Sequence, residues 1–391
     1  MIGLSSEQRQ GLGILALLWF AGLYMRLPIL IAPPLSPYIA ADLGLSQTHI
    51  GALTTLPVLM LAAGALVGSL LIMRMGPRNA LAAALAIVAA ASAARGMANG
   101  AALLLFFSAV MGLGIAVMQP SLPALLPRWL SPTRIALGTA CYMNGMLMGE
   151  FFGAGLTLPV IMPLTGDSWR ATLLVWSLPA LLIAALLFLP RRDRSGPSTS
   201  PQWLPSLRDP LMWKLGLLLA GSASMFFGTN AYMASVLEQR GEIERLDKAL
   251  FWFNIAQVAA SLAMLRFARY WVARRRPVVF NACAGTLSLF GFILLEGWPG
   301  VTFAVLMSFF AGILLILIVA LPPQLVDSAH AGRLSAGNFT IGYTLAFVIP
   351  LAGGAAADAT GNSLMAIWVI VLFALATLPF ALSLRLPEAS R

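Results

Sequence analysis

Residues 12–40 read LGILALLWFAGLYMRLPILIAPPLSPYIA. From Leu12 to Met25 there is no charge; then Arg26 interrupts the run, and Pro28, Pro33, Pro34 and Pro37 follow it. At ~1.5 Å of rise per residue, a helix beginning near Leu12 carries Arg26 ~21 Å along its axis. A bilayer's hydrocarbon core is ~30 Å thick, so that depth is well inside it. A guanidinium keeps its charge and is costly there unless it faces water, a partner or a ligand.

The rest of the chain has the composition to surround such a stretch with lipid. Of 391 residues, 60% are hydrophobic and only 10% charged, and the mean hydropathy is +0.88. Soluble domains carry roughly a quarter charged residues, so the chain reads as an all-α, multi-pass membrane protein. Met1–Gln10 is short and polar and runs into an apolar stretch too long for a signal-peptide core, so no cleavable leader is expected. Cys141 and Cys283 sit far apart inside apolar segments, which predicts neither a disulfide framework nor a metal site. His49 and His330 stand alone at segment ends. With no Walker-type phosphate loop either, neither an enzyme nor an ATP-driven pump is expected, and no cofactor.

Apolar periodicity divides the chain into twelve spans, at approximately 12–40, 47–73, 79–97, 101–127, 134–160, 170–190, 210–237, 248–271, 278–296, 300–323, 333–357 and 363–384. Residues 191–209, rich in Arg, Pro and Ser, read as a cytoplasmic linker between a six-helix bundle at 1–190 and another at 210–391. Of the 24 Lys and Arg, 18 fall on the face holding the termini and the linker, 5 on the opposite face, and the last is Arg26. That asymmetry puts both termini in the cytoplasm and assigns the net charge of +10 to membrane orientation, with no nucleic-acid partner.

The halves repeat. At an offset of 199 residues, Arg134, Gly138 and Gly155 pair with Arg333, Gly337 and Gly354; at 203, Phe106, Phe107 and Pro120 pair with Phe309, Phe310 and Pro323. The matches keep their order, which supports a parallel duplication with a substrate site at the interface of the halves. Gly145, Gly149 and Gly153 recur every four positions, giving one helix face that admits a close neighbour.

Twelve spans in two halves with a charged central linker resemble the major facilitator superfamily. The superfamily's loop signature after the second span is matched at Arg74, Gly76 and Arg78; its leading Gly is Ser69 here and its Asp is Met73. Within the superfamily the chain is similar to the branch of cyanate and nitroimidazole transporters. The similarity rests on Met25-Arg26 with its proline-broken continuation, Leu53–Val58 (LTTLPV), Arg95, Gly114–Gln119 (GIAVMQ) with Pro123, Gln257, Ala331–Leu334 (AGRL) and Ile341–Tyr343 (IGY). That branch usually has a Pro after the seventh span's Leu, whereas this chain runs Val236-Leu237-Glu238.

The resemblance implies alternating access, and a charge at membrane depth makes Arg26 the first candidate for a substrate-binding cation. Its planar fork suits a small carboxylate, cyanate, nitrate or an electron-rich heterocycle, and the rival is a structural arginine that pins helix ends. Glu150, the one acid at mid-span, lies ~24 Å along the fifth span from Arg134. Because the first and fifth spans are neighbours in the superfamily fold, an Arg26–Glu150 pair is expected, either static or exchanging a proton. Arg95, near the outer end of the third span, is either an anchor or part of a cationic vestibule. Arg134, Arg333 and Asp327 are expected to make gating contacts at the cytoplasmic ends. Tyr24, Gln119, Tyr232, Gln257, Tyr343, Asn230 and Asn338 are candidates to finish the cavity, and Asn144 and Asn254 share the same setting. Each such residue is either a ligand or interhelical glue. Trp19, Trp176 and Trp368 read as packing residues.

The function expected is secondary transport of a small anionic or polar solute across a bacterial inner membrane by a monomer, with a proton as candidate co-substrate. Export of neutral aromatic heterocycles is the alternative, and a non-transporting sensor or scaffold is a third, disfavoured by the short loops.

Overall fold

The computed structural model describes residues 6–189, 209–326, 328–384 and 386, without the side chains of 6–10, 63–66, 69, 132, 136, 268–269, 323 and 328–332. The linker up to Arg208 and Asp327 therefore lie outside the described residues. What is described is helical, with no strand: α1 Ser6–Leu23, α2 Leu27–Leu30, α3 Ala32–Leu43, α4 Gln47–Arg95, α5 Ala101–Trp129, α6 Ile135–Gly155, α7 Met162–Leu164, α8 Trp169–Leu186, α9 Pro210–Gln239, α10 Leu246–Trp271, α11 Arg275–Leu294, α12 Gly297–Val319, α13 Pro322–Leu325, α14 Ser328–Thr360 and α15 Leu364–Leu382.

Among the described residues, ten helices are long and apolar enough to cross a bilayer, or eleven when one bent pair is taken as a single span. The sequence predicts twelve. The difference falls on the first arm of α4, where several side chains lie outside the description. α4 is two helices in one: at Gly76 the backbone turns to φ 78°, ψ 158°. Glycine adopts that conformation freely, and Pro77 both keeps Gly76 out of the helical region and starts the next helix.

The first span is broken where the sequence stops being uniformly apolar. α1 ends at Leu23, Arg26 has φ −128°, and α2 starts with Pro28 in its first turn. Met25 and Arg26 make tight bonds to carbonyls three residues back, at 2.9 and 3.3 Å. Proline has no N–H to give, so each one leaves the carbonyl four residues before it without its helical donor. For Pro37 the consequence is visible: Ser36 Oγ donates to the stranded Pro33 carbonyl at 2.8 Å.

A second break lies after α6, where Thr157–Ile161 forms a π turn and the span bends by 57°. Pro159 removes another donor at that point. The glycines of α6 explain how it packs. A Cβ at Gly145 would run into the Trp19 carbonyl, one at Gly149 into the Leu23 carbonyl, and one at Gly153 would lie 2.7 Å from the Leu27 carbonyl. α1–α2 and α6 are thus in backbone-to-backbone contact along three turns.

Packing gathers the chain into two compact units, one of Met1–Ile31 with Ala63–Ser200 and one of Ala32–Ala62 with Pro201–Arg391. The helical hairpin formed by α3 and the first arm of α4 is thereby grouped with the second unit, although in chain order it belongs to the first two expected spans.

Replacing Gly149 with Ala inserts a methyl group where a carbonyl sits, and overpacking of this kind costs about 1–3 kcal/mol. Thermal denaturation of the purified protein in detergent is expected to show a lowered midpoint for Gly149→Ala. Gly13→Ala, whose Cβ would meet nothing within 4 Å, is expected to leave it unchanged. Equal midpoints for the two variants would contradict the backbone contact.

Candidate functional site

In the first unit the close approach of α6 to the broken first span brings Glu150, the residue after Gly149, to Arg26. Arg26 Nε lies 3.4 Å from Glu150 Oε1, and the residues are only 3% and 5% exposed. Two charges so withdrawn from solvent interact strongly, but both have lost their hydration, and removing either one leaves the other uncompensated.

The breaks themselves are braced by side chains. Tyr24 Oη donates to the Trp176 carbonyl at 2.7 Å. Trp176 Nε1 donates to Thr157 Oγ1 at 3.0 Å, and Thr157 Oγ1 donates to the Gly153 carbonyl at 2.6 Å. α8 thereby ties the turn at Tyr24 to the π turn beyond α6. Arg95 is buried and donates through Nη2 to the Pro28 carbonyl at 2.9 Å and to Ser92 Oγ at 3.1 Å. It braces the backbone just past Arg26 and does not line a solvated surface. Gln119 is half-buried on α5. Asn144 accepts from Trp19 Nε1 at 2.8 Å. Arg134 is exposed at the start of α6, its Nη1 3.0 Å from where a Cβ on Gly11 would stand.

In the second unit the predicted Asn, Gln and Tyr residues are buried. Asn230 and Asn254 pair through their amides at 3.1 and 3.3 Å. Gln257 Nε2 donates to the Ser308 carbonyl at 2.9 Å, while Ser308 Oγ donates to the Phe253 carbonyl at 2.7 Å. Tyr343 stacks on Phe339 with centroids 5.6 Å apart. Asn338 is buried, and its Oδ1 has no hydrogen-bond partner among the described residues. Arg333 is half-buried at the start of the apolar part of α14.

Tyr232 does something the sequence did not suggest. Its hydroxyl donates to the Pro350 carbonyl at 2.7 Å and is bonded by the Gly354 backbone. Those two groups are four residues apart in α14, so the hydroxyl is seated against one turn of that helix. Four residues beyond Gly354, Asp358 accepts from the Gln47 N–H at 2.7 Å and the Thr48 N–H at 2.9 Å. Asp358 is not among the candidates the sequence singles out. Its spacing of four from the repeated Gly354 was the one available signal.

Residues 13–350 match the Major Facilitator Superfamily. The chain is 28% identical over 360 residues to the cyanate transport protein CynX of Escherichia coli strain K12, with 90% of this chain and 92% of that protein covered. It is also 28% identical over 364 residues to the 2-nitroimidazole transporter of the same strain, covering 90% of this chain and 89% of that one. Among solved structures, the inward-open xylose transporter XylE of E. coli aligns with a TM-score of 0.75 at 12% identity over 97% of both chains. A bacterial homologue of the human lysosomal transporter Spinster, inward-facing and occupied, aligns at 0.74 and 16% identity, again over 97% of both. At such identities the solved structures speak for the fold alone. The superfamily match covers most of the chain, and this protein is a multi-pass membrane transporter belonging to the Major Facilitator Superfamily.

Proposed function

We propose that this transporter carries a small anionic or polar solute of the cyanate, nitrate or short carboxylate class by alternating access. Arg26 is the cation that receives the solute. The working halves are the six-helix bundles at 1–190 and 210–391, joined by a linker at 191–209. The protein acts as a monomer in a bacterial inner membrane with both termini in the cytoplasm. The observation that carries this reading is the buried Arg26–Glu150 pair at 3.4 Å, set at a break in the first span. The 28% identity to a cyanate transport protein supports it.

The pair also suggests how charge is managed. Arg26 with ionised Glu150 is neutral, so an anion arriving at the guanidinium leaves the site with a net negative charge in a medium that solvates it poorly. If Glu150 takes a proton as the anion binds, neutrality is restored. Anion and proton then cross together, and the membrane field, worth ~2.3 kcal/mol per charge per 100 mV, no longer opposes uptake. Arg95, Trp176 and Tyr24 serve this site as braces of the backbone that presents Arg26. Gln119, Asn230, Gln257, Asn338 and Tyr343 are assigned as polar contacts along the solute's path, and Arg134, Arg333 and Asp327 as gating residues.

One observation favours a second reading. The 2-nitroimidazole transporter is as similar to this chain as the cyanate protein is. In that case the ion pair stays intact, and a neutral heterocycle packs beside it on its way out of the cell.

A binding panel in nanodiscs separates the two readings: cyanate, nitrate and acetate on one side, 2-nitroimidazole on the other. Under the anion reading, Arg26→Ala weakens anion binding by about 10–150-fold, the equivalent of a charge-assisted hydrogen bond of ~1.5–3 kcal/mol. Undiminished anion affinity in Arg26→Ala would remove Arg26 from the site. Binding of 2-nitroimidazole alone would favour the second reading. In proteoliposomes, wild-type anion uptake is expected to accelerate when the outside is acidified. Glu150→Gln, fixed in the neutral form, is expected to lose that acceleration while still binding the anion. A variant with the wild-type pH response would rule Glu150 out as the proton carrier.

A further inference from the structure

The hairpin Ala32–Ala62 packs in the second unit although the chain on either side of it packs in the first. Its second arm begins at Gln47, and the first turn of that arm is held by a carboxylate more than three hundred residues away. Asp358 Oδ1 accepts from Gln47 N–H, while Oδ2 accepts from both the Thr48 N–H and the Thr48 hydroxyl. The first N–H groups of a helix have no partner in their own helix, and the positive end of the helix dipole lies there, so one carboxylate answers both needs.

One turn further in, the seam is built from glycine. A Cβ on Gly354 would lie 2.8 Å from the Gln47 carbonyl and the Thr48 Cα, and one on Gly51 would strike the Tyr232 hydroxyl. Gln47 and Gly51 are four apart on α4, and Gly354 and Asp358 are four apart on α14, so each pair shares a helix face. Two short rows therefore face each other, with a carboxylate clasp at the outer rim and, beneath it, close backbone approach around the Tyr232 hydroxyl.

Such a seam can part without being unpacked. Glycines carry no side chains that must leave interlocked positions, unlike an interdigitated core. Asp358 is exposed, so water takes over its bonds and those of the released N–H groups as the seam opens. Tyr232 remains anchored to Pro350 in α14, which leaves the socket intact for re-docking.

We propose that Asp358 is the latch of this hairpin. Its carboxylate clamps the start of α4 while the hairpin is docked against α9 and α14, and it lets go in another step of the transport cycle. The assignment concerns gating and is independent of the solute carried and of Arg26.

Spin-label distance measurements on the full chain in nanodiscs test it without any substrate. In a background with Cys141→Ser and Cys283→Ser, labels at Ala41→Cys and Ala359→Cys, both exposed, report the hairpin against α14. Labels at Lys248→Cys and Ala359→Cys form the control pair within the second unit. The wild type is expected to show a dominant short-distance population for the first pair. Asp358→Ala is expected to shift that population several-fold toward longer distances, and Asp358→Asn less, because an amide oxygen still accepts. Gly354→Leu reaches the same end by filling the seam. The control pair keeps its distance throughout. An unchanged hairpin distance in all three variants would overturn the latch. Joint broadening of both pairs would also overturn it, since the contact would then be a support of the whole unit.

Discussion

A positive charge that cannot be given up, buried inside an otherwise apolar span, is the constraint on which this structure turns. Arg26 stands about midway along an otherwise apolar span, so the fold must supply what water cannot. Glu150 supplies the countercharge at 3.4 Å. It can do so only because Gly145, Gly149 and Gly153 let α6 settle against the carbonyls of the first span. Any larger side chain on that face would move the carboxylate away from the guanidinium. Charge pairing and glycine packing are in this sense one feature.

The same logic governs the backbone. Prolines and turns strand carbonyls inside a medium with no solvent donors, and side chains from neighbouring helices step in. Arg95 takes the Pro28 carbonyl, Ser36 the Pro33 carbonyl, and Thr157 the Gly153 carbonyl. The glycines related by the internal repeat are placed differently: Gly155 ends α6 just before the π turn, whereas Gly354 lies inside the unbroken α14.

Much of this was legible in the chain itself. The all-helical membrane class followed from composition, and the superfamily from the joint order of short motifs around Arg26, Leu53–Val58 and Gly114–Gln119. The Arg26–Glu150 pair followed from equal depth in two spans known to be neighbours in that fold. What could not be read was who repairs each broken helix. Nothing in one dimension distinguishes Arg95 bonding a carbonyl from Arg95 facing water, because both readings ask only for a cation at that depth. Trp176 read as a packing residue, yet its indole N–H and its carbonyl join two breaks. Asp358 was invisible for the same reason: its partners, Gln47 and Thr48, are backbone N–H groups, and a backbone donor leaves no mark in the residue types.

The most direct measurement is an experimental structure of the protein with nitrate or cyanate present at saturating concentration. The account predicts density for the anion within hydrogen-bonding distance of the Arg26 guanidinium, with Glu150 displaced from it. Density for the anion elsewhere, with Arg26 and Glu150 still paired as they are without it, would contradict the role given to that arginine.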